Sequence, residues 1–146
     1  NVLGPLFHVK DPAATVLGQV VYTQGRCKPG LAVKELAGWT SWYAAAPNLP
    51  APLLRGIARS AGVHLYSDAG DVLTGTRELL AVHTLSGGRR EFRLPAKAEV
   101  VYDLYEDRPV ARKADRFTVD LAPVSSALWY TGPAKAIEAL QPIAKG

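Results

Sequence analysis

A single cysteine, Cys27, stands in the 146 residues. One thiol excludes an internal disulfide and any thiolate-rich metal site, and leaves Cys27 as a small loop or core residue. Methionine is absent and the chain starts at Asn1, which leads to the expectation of a fragment, a processed chain or a trimmed one. No apolar run reaches the roughly 18 residues that a membrane span needs, and the start lacks the basic and apolar regions of a signal peptide. A membrane partner is therefore not expected.

Positive charge is present without pattern. The 17 Lys and Arg against 13 acids give +4, but the densest groups, Arg89-Arg90-x-Arg93 and Arg108 to Arg116, are interrupted by Glu91 and Asp115. A nucleic-acid protein should show a basic stripe or a recognisable module, so no nucleic-acid partner is expected either.

Catalytic signatures are also missing. There is no G-x-S-x-G, and although Ser41, His64 and Asp68 assemble on paper as a triad, nothing local sets the serine on a strand-to-helix elbow. His8, His64 and His83 lack ligand spacing. Asp68 and Asp71 lack the alternating acids and terminal Glu of a calcium loop and read as turn residues. Asp103, Glu106 and Asp107 fall at a strand end and turn and read as solvated carboxylates rather than a pair held across a cleft. These observations assign no catalytic residue, no metal ligand and no cofactor.

What the chain does contain is an ordinary globular balance, 48% hydrophobic and 21% charged, with 13 Gly and 11 Pro set singly between short apolar runs. That distribution predicts many short elements joined by turns. Leu6 to Val9 reads as a short edge strand, followed by a turn at Lys10-Asp11-Pro12. Thr15 to Tyr22 reads as a strand with Gly18 as a possible bulge, and Thr23 to Gly30 as a loop. Leu31 to Leu36 and Trp39 to Ala45 form a hairpin through Ala37-Gly38. Together these make a three-stranded antiparallel meander.

Asn48, Pro50 and Pro52 signal a helix start. Leu53, Leu54, Ile57, Ala58 and Ala61 then recur at helical spacing, with Arg55 and Arg59 on the outer face and Gly62 as the stop. Val63 to Tyr66 reads as a strand laid against the meander. A boundary falls near Asp68 to Asp71. Beyond it, Glu78 to Thr84, Arg90 to Leu94, Glu99 to Tyr105, Val110 to Arg112, Arg116 to Leu121 and Ser126 to Tyr130 read as short strands of a small antiparallel sandwich, with a helical tail over Ala134 to Leu140 limited by Pro142. The expected class is α+β, mostly β: residues 1–70 an antiparallel meander with one packed helix, 71–132 a small antiparallel β-sandwich, and 133–146 a tail.

Aromatic side chains offer the one recognisable surface chemistry. Period-two geometry sets Trp39, Ser41 and Tyr43 on one face of their strand and Thr40, Trp42 and Ala44 on the other. Rings of this kind stack on pyranose faces, so Trp39, Trp42, Tyr43, Trp129 and Tyr130 are candidate carbohydrate-binding residues, the last two expected at the surface. Packing of the 39–43 cluster against the helix on one side and a neighbouring domain on the other is the competing and preferred reading.

The run PGLAVKELAGWTSWYAAAPNLPAPLLRGIARSAGVHLY, Pro29 to Tyr66, resembles the closing part of the glutamine-amidotransferase-like, β-galactosidase trimerisation-type domain of multidomain glycoside hydrolases. The resemblance is carried by Leu31 to Leu36, Gly38, Trp39 to Ala46, Pro47 to Pro50, Leu53 to Ala58 and Ala61 to Val63. Leu79 to His83, the arginine-rich strand ending in Leu94-Pro95, and Val101-Tyr102-Asp103-Leu104 are similar to the β-sandwich that follows such domains. The resemblance implies that residues 1–70 are the remnant of an α/β domain and that the catalytic Glu pair of such an enzyme lies on a barrel outside this chain. It further implies a non-catalytic C-terminal region that supports domain packing or oligomerisation, with the upstream domains or a second copy as partners. The alternative is a free-standing module that binds oligosaccharide through the aromatics above.

Overall fold

The computed structural model describes residues 6–140. The class is α+β, mostly β, and the chain divides into two compact units, Asn1–Val63 and His64–Gly146.

Unit 1 is the three-stranded antiparallel sheet read from the sequence, in order β1 (Thr15–Val21), β2 (Cys27–Leu36), β3 (Trp39–Ala44), followed by helix α1 (Ala51–Ser60). The register slips on both sides of Gly18, which lies opposite Leu31, so the expected bulge is present; a side chain at Gly18 would press on the Leu31 Cβ at 3.2 Å. The β2–β3 hairpin pairs Leu36 with Trp39 across Ala37-Gly38. Only Gly38 of that pair takes a positive φ, +84°, the pattern of a type II turn.

Strand β2 starts at Cys27, inside the stretch read as loop. Pro29 concealed this, because a proline argues against a central strand. Here β3 pairs only with Leu31 to Leu36, so β2 has a strand neighbour on one side alone at Pro29. That is the edge setting in which a missing N–H is harmless.

Helix α1 begins two residues before the apolar repeat, with Pro50 rather than Asn48 at the cap position and no side-chain cap bond. Its C-terminus closes as a Schellman motif: Gly62 N–H donates to Arg59 O at 3.0 Å and Val63 N–H to Ala58 O at 2.9 Å, with Gly62 at φ +72°. The segment Val63 to Tyr66, expected as a strand, is not one. It makes isolated bonds instead, Arg93 N–H donating to Tyr66 O at 2.8 Å.

Unit 2 holds a five-stranded antiparallel sheet in the order β4-β5-β8-β6-β7, formed by β4 (Val72–Gly75), β5 (Leu79–Thr84), β6 (Gly88–Asp103), β7 (Arg108–Leu121) and β8 (Ser125–Gly132), and ends in α2 (Ala134–Leu140). The limiting Pro142 and the rest of the expected tail after Leu140 lie outside the described residues. Strand β4 was not anticipated. Two pairs of expected short strands are each one long strand, β6 and β7. Their register passes from Arg93↔Arg116 to Ala98↔Ala114, so β6 spends three more residues than β7 there. That bulge absorbs Pro95, which had read as a strand end.

The bulge also shapes the core. Trp129 on β8 lies opposite Asp103 at the far end of β6, and the extended chain from Asp103 back to Phe92 would span about 35 Å at ~3.3 Å per residue. Yet the Phe92 and Trp129 ring centroids are 4.9 Å apart, and those of Phe117 and Trp129 5.1 Å. The β6–β7 ribbon therefore folds back across the sheet, giving one bent, sandwich-like layer pair. Between the halves lie Leu80, Val82, Phe92, Val101, Phe117 and Trp129, all buried. The opposite face carries Val100 and Tyr102, covered by Ile137 of α2. Placing β8 between β5 and β6 thus sets Trp129 at the centre of the unit.

Candidate functional site

The five aromatic candidates fall in separate environments. In β3 the register sets Trp39, Ser41 and Tyr43 with Leu36, Lys34 and Ala32 on one face, and Trp42 with Glu35 and Val33 on the other. Trp42 is half-buried beside a concavity of about 340 Å³ to which α1 contributes Ile57 and Ser60, and its C-cap Ala61. On the opposite face the Tyr43 hydroxyl donates to the Phe7 carbonyl oxygen at 2.8 Å, and Lys34 pairs with Asp11, so the segment before β1 reaches that face. Trp39 remains 60% exposed. The cluster is therefore divided between two faces, and Trp39 is its one open ring.

Trp129 and Tyr130, expected at the surface, are not a platform. Trp129 is 0% exposed because β8 is the third of five strands with the folded ribbon across it. Tyr130 is half-buried and its hydroxyl donates to the Pro133 carbonyl at 3.3 Å; burial and the nearby Glu78 and Glu99 push its phenol pKa upward.

The acidic residues of unit 2 have structural partners that sequence reading missed. Asp103 had read as solvated but is only 6% exposed. Its Oδ1 accepts the Tyr105 and Glu106 N–H groups at 3.0 Å each, and its Oδ2 accepts the Trp129 indole N–H at 3.1 Å. The turn half of this pattern was legible, since an aspartate at a strand end caps its own turn two and three residues on; the indole partner was not. Asp107 accepts a hydrogen bond from the Tyr102 hydroxyl at 2.7 Å and takes a positive φ of 48°. A concavity of about 380 Å³ opens beside this turn, with Tyr105, Glu106, Arg108 and Asp120 among its lining.

Asp71 is likewise more than a turn residue. Arg90 donates to its two oxygens, Nε at 2.7 Å and Nη2 at 3.4 Å, and Arg90 Nη2 also reaches the Ser86 hydroxyl at 2.8 Å. The hydrogen bond from Arg90 holds the Asp71 carboxyl below its usual range against the opposing effect of burial, and Asp71 raises Arg90 in return. This pair ties the start of β4 to β6.

The paper triad gains nothing from the fold. His64 Nε2 lies 2.8 Å from the Arg93 carbonyl oxygen and Asp68 pairs with the Arg93 guanidinium at 3.5 Å, so both are engaged with β6, while Ser41 belongs to unit 1. His83 Nδ1 meets the Ser126 hydroxyl at 2.9 Å on an exposed part of the sheet. Among the described residues no group of three His, Cys, Asp or Glu side chains is placed to hold a metal ion, and no helix is long and apolar enough to cross a membrane. Comparison with protein families, curated proteins and solved structures gave no match.

Proposed function

We propose that this chain is a non-catalytic accessory region of a glycoside hydrolase-like protein, serving domain packing or oligomerisation. The observation that carries the packing role is the disproportion between the units. Unit 2 encloses an aromatic core, whereas among the described hydrophobic residues of unit 1 only Ala32 is buried. Phe7, Val16, Leu17, Leu36, Trp39 and Leu54 of that unit are all exposed. A sheet and helix that bury so little of their apolar side chains acquire their core from a partner, since burial of apolar surface is the main favourable term in both folding and association. The link to glycoside hydrolases comes from the resemblance of Pro29 to Tyr66.

Two measurements test this. The purified chain should not turn over aryl glycosides; turnover that disappears on mutating a local carboxylate would refute the non-catalytic assignment. It should also self-associate as concentration rises, and a monomer persisting at high concentration in light scattering would remove the packing argument. The second reading, an oligosaccharide-binding module, is favoured only by the open ring of Trp39. Tryptophan fluorescence that shifts with an oligosaccharide in the native chain but not in Trp39→Ala would select it.

A further inference from the structure

The net charge of the chain is not spread over it. Residues 1–63 contain six Lys and Arg against only two acids, Asp11 and Glu35, whereas residues 64–146 hold eleven of each sign. The whole +4 therefore belongs to unit 1, a concentration hidden when the basic residues are read along the sequence. Both acids of unit 1 are engaged away from the β1–β2 hairpin end, Asp11 with Lys34 and Glu35 with the Thr40 hydroxyl at 2.7 Å.

At that hairpin end a site is assembled from two segments. Lys28 lies opposite Val20 on β2, and Tyr22 N–H donates to the carbonyl oxygen of Arg26, the extended residue just before β2, at 2.8 Å, so Arg26 and Lys28, two residues apart on extended backbone, project from the same face. The chain before β1 is fixed beside them: the Tyr22 hydroxyl donates to Leu6 O at 3.2 Å and Val9 N–H to Pro29 O at 3.1 Å. This brings the His8 ring edge-on to Tyr22 at 6.5 Å. The connecting turn adds Thr23 and Gln24, the latter in the left-handed region at φ 65°. The result is a concavity of about 450 Å³ lined by His8, Tyr22, Thr23, Gln24, Arg26 and Lys28 together with Leu6, with no carboxylate side chain among these described residues. Arg26 and Lys28 form no ion pair among the described residues, in contrast to Lys34, Arg90 and Arg93.

We propose that this concavity is a binding site for a small phosphate ester. Two cations on one face of extended backbone, without a competing acid among the described lining residues, suit a dianionic group whose oxygens accept charge-assisted hydrogen bonds from both. The imidazole, hydroxyl and carboxamide groups at the rim supply further polar partners, and the Tyr22 ring gives the organic part of the ester an apolar wall. The site does not depend on the accessory role proposed above and is tested separately from it.

The test is titration of the 15N-labelled full chain with inorganic phosphate and with glucose 6-phosphate, using glucose as the uncharged control. Both phosphates should shift amide resonances confined to Leu6 to Val9 and Tyr22 to Lys28, the ester binding more tightly than phosphate, and glucose should shift none of these. Arg26→Gln and Lys28→Gln, exposed positions at which the unchanged remainder of the spectrum reports an intact fold, should each weaken the ester about tenfold or more. Lys28→Arg should retain it, and Arg112→Gln in unit 2 should have no effect. No confined shift up to about 10 mM ester, equal shifts around the basic residues of both units, or unchanged affinity in both glutamine variants would overturn the proposal. Binding of a long polyanion such as heparin with none of the phosphate ester would also overturn it, by assigning the charge to a macromolecular surface instead.

Discussion

Replacing Asp103 by alanine should be among the most damaging single changes in unit 2, although its sequence setting suggests a tolerant turn. The carboxylate accepts three N–H groups. The indole N–H of the fully buried Trp129 loses its acceptor, and leaving it unsatisfied costs about 1–3 kcal/mol. The Tyr105 and Glu106 amides belong to exposed residues and recover part of their bonding from water, at a net loss of about 0.5–1.5 kcal/mol each. Removing a buried carboxylate also relieves its desolvation, which offsets part of this sum. The net expectation for Asp103→Ala is about 2–4 kcal/mol, or on the order of 10–20 °C in Tm for a domain of this size. Asp103→Asn keeps one oxygen but turns an amide donor toward one of its present donors, and should lose about 1–2 kcal/mol. Urea unfolding of the full chain, followed through the amide resonances of Leu80, Val101 and Phe117, reads unit 2 alone. A double-mutant cycle with Trp129→Phe should give a coupling of about 1–2 kcal/mol. Loss of less than about 0.5 kcal/mol in Asp103→Ala, or a coupling within error of zero, would refute the assignment of this carboxylate as the polar anchor of the core.

Other expectations are more compact. Phe92→Ala should destabilise unit 2 by about 3–5 kcal/mol, because its fully buried ring packs against both Phe117 and Trp129; thermal unfolding checks this. The Asp71 carboxyl is lowered mainly by the hydrogen bond from Arg90, so its contribution to stability is present above the unfolded value of about 3.9 and is lost as pH falls through the lower folded value. Stability measured against pH should therefore drop in that acid range, and Asp71→Asn should remove that part of the drop. Gly87→Ala should disrupt the β5–β6 turn beyond the strain of its φ of +62°, since an added Cβ would come within 2.5 Å of the Pro123 nitrogen; Gly38→Ala, with open space around it, should cost only about 1–2 kcal/mol of left-handed strain. Leu36→Ser with Trp39→Ser should reduce the expected self-association in light scattering while leaving the unit 2 resonances in place.

The sequence by itself determined the local structure wherever one physical signal stood alone. Glycine in a two-residue link specified the Ala37-Gly38 hairpin, Gly18 the β1 bulge, and the apolar repeat with Gly62 behind it helix α1. The mostly β class followed from alternation and turn residues in the same way. It could not determine pairing among elements distant in the chain. Pro29 and Pro95 read as strand ends because their tolerance depends on whether a neighbour occupies the other side of the strand or a bulge takes up the ring, and both are properties of the sheet. The same holds for the candidate residues. Alternation divided Trp39 and Tyr43 from Trp42 correctly, since faces are a matter of period, but the burial of Trp129 depended on β8 entering between β5 and β6 and on the β6–β7 ribbon folding across it. Asp103 became a core acceptor, and Asp71 the partner of Arg90, through contacts between residues well separated in sequence. Composition gave the total charge, while the division of the chain into units revealed that unit 1 carries all of it. Backbone conformation is set by each residue and its neighbours, whereas burial, partnership and local field are set by whatever the fold brings alongside.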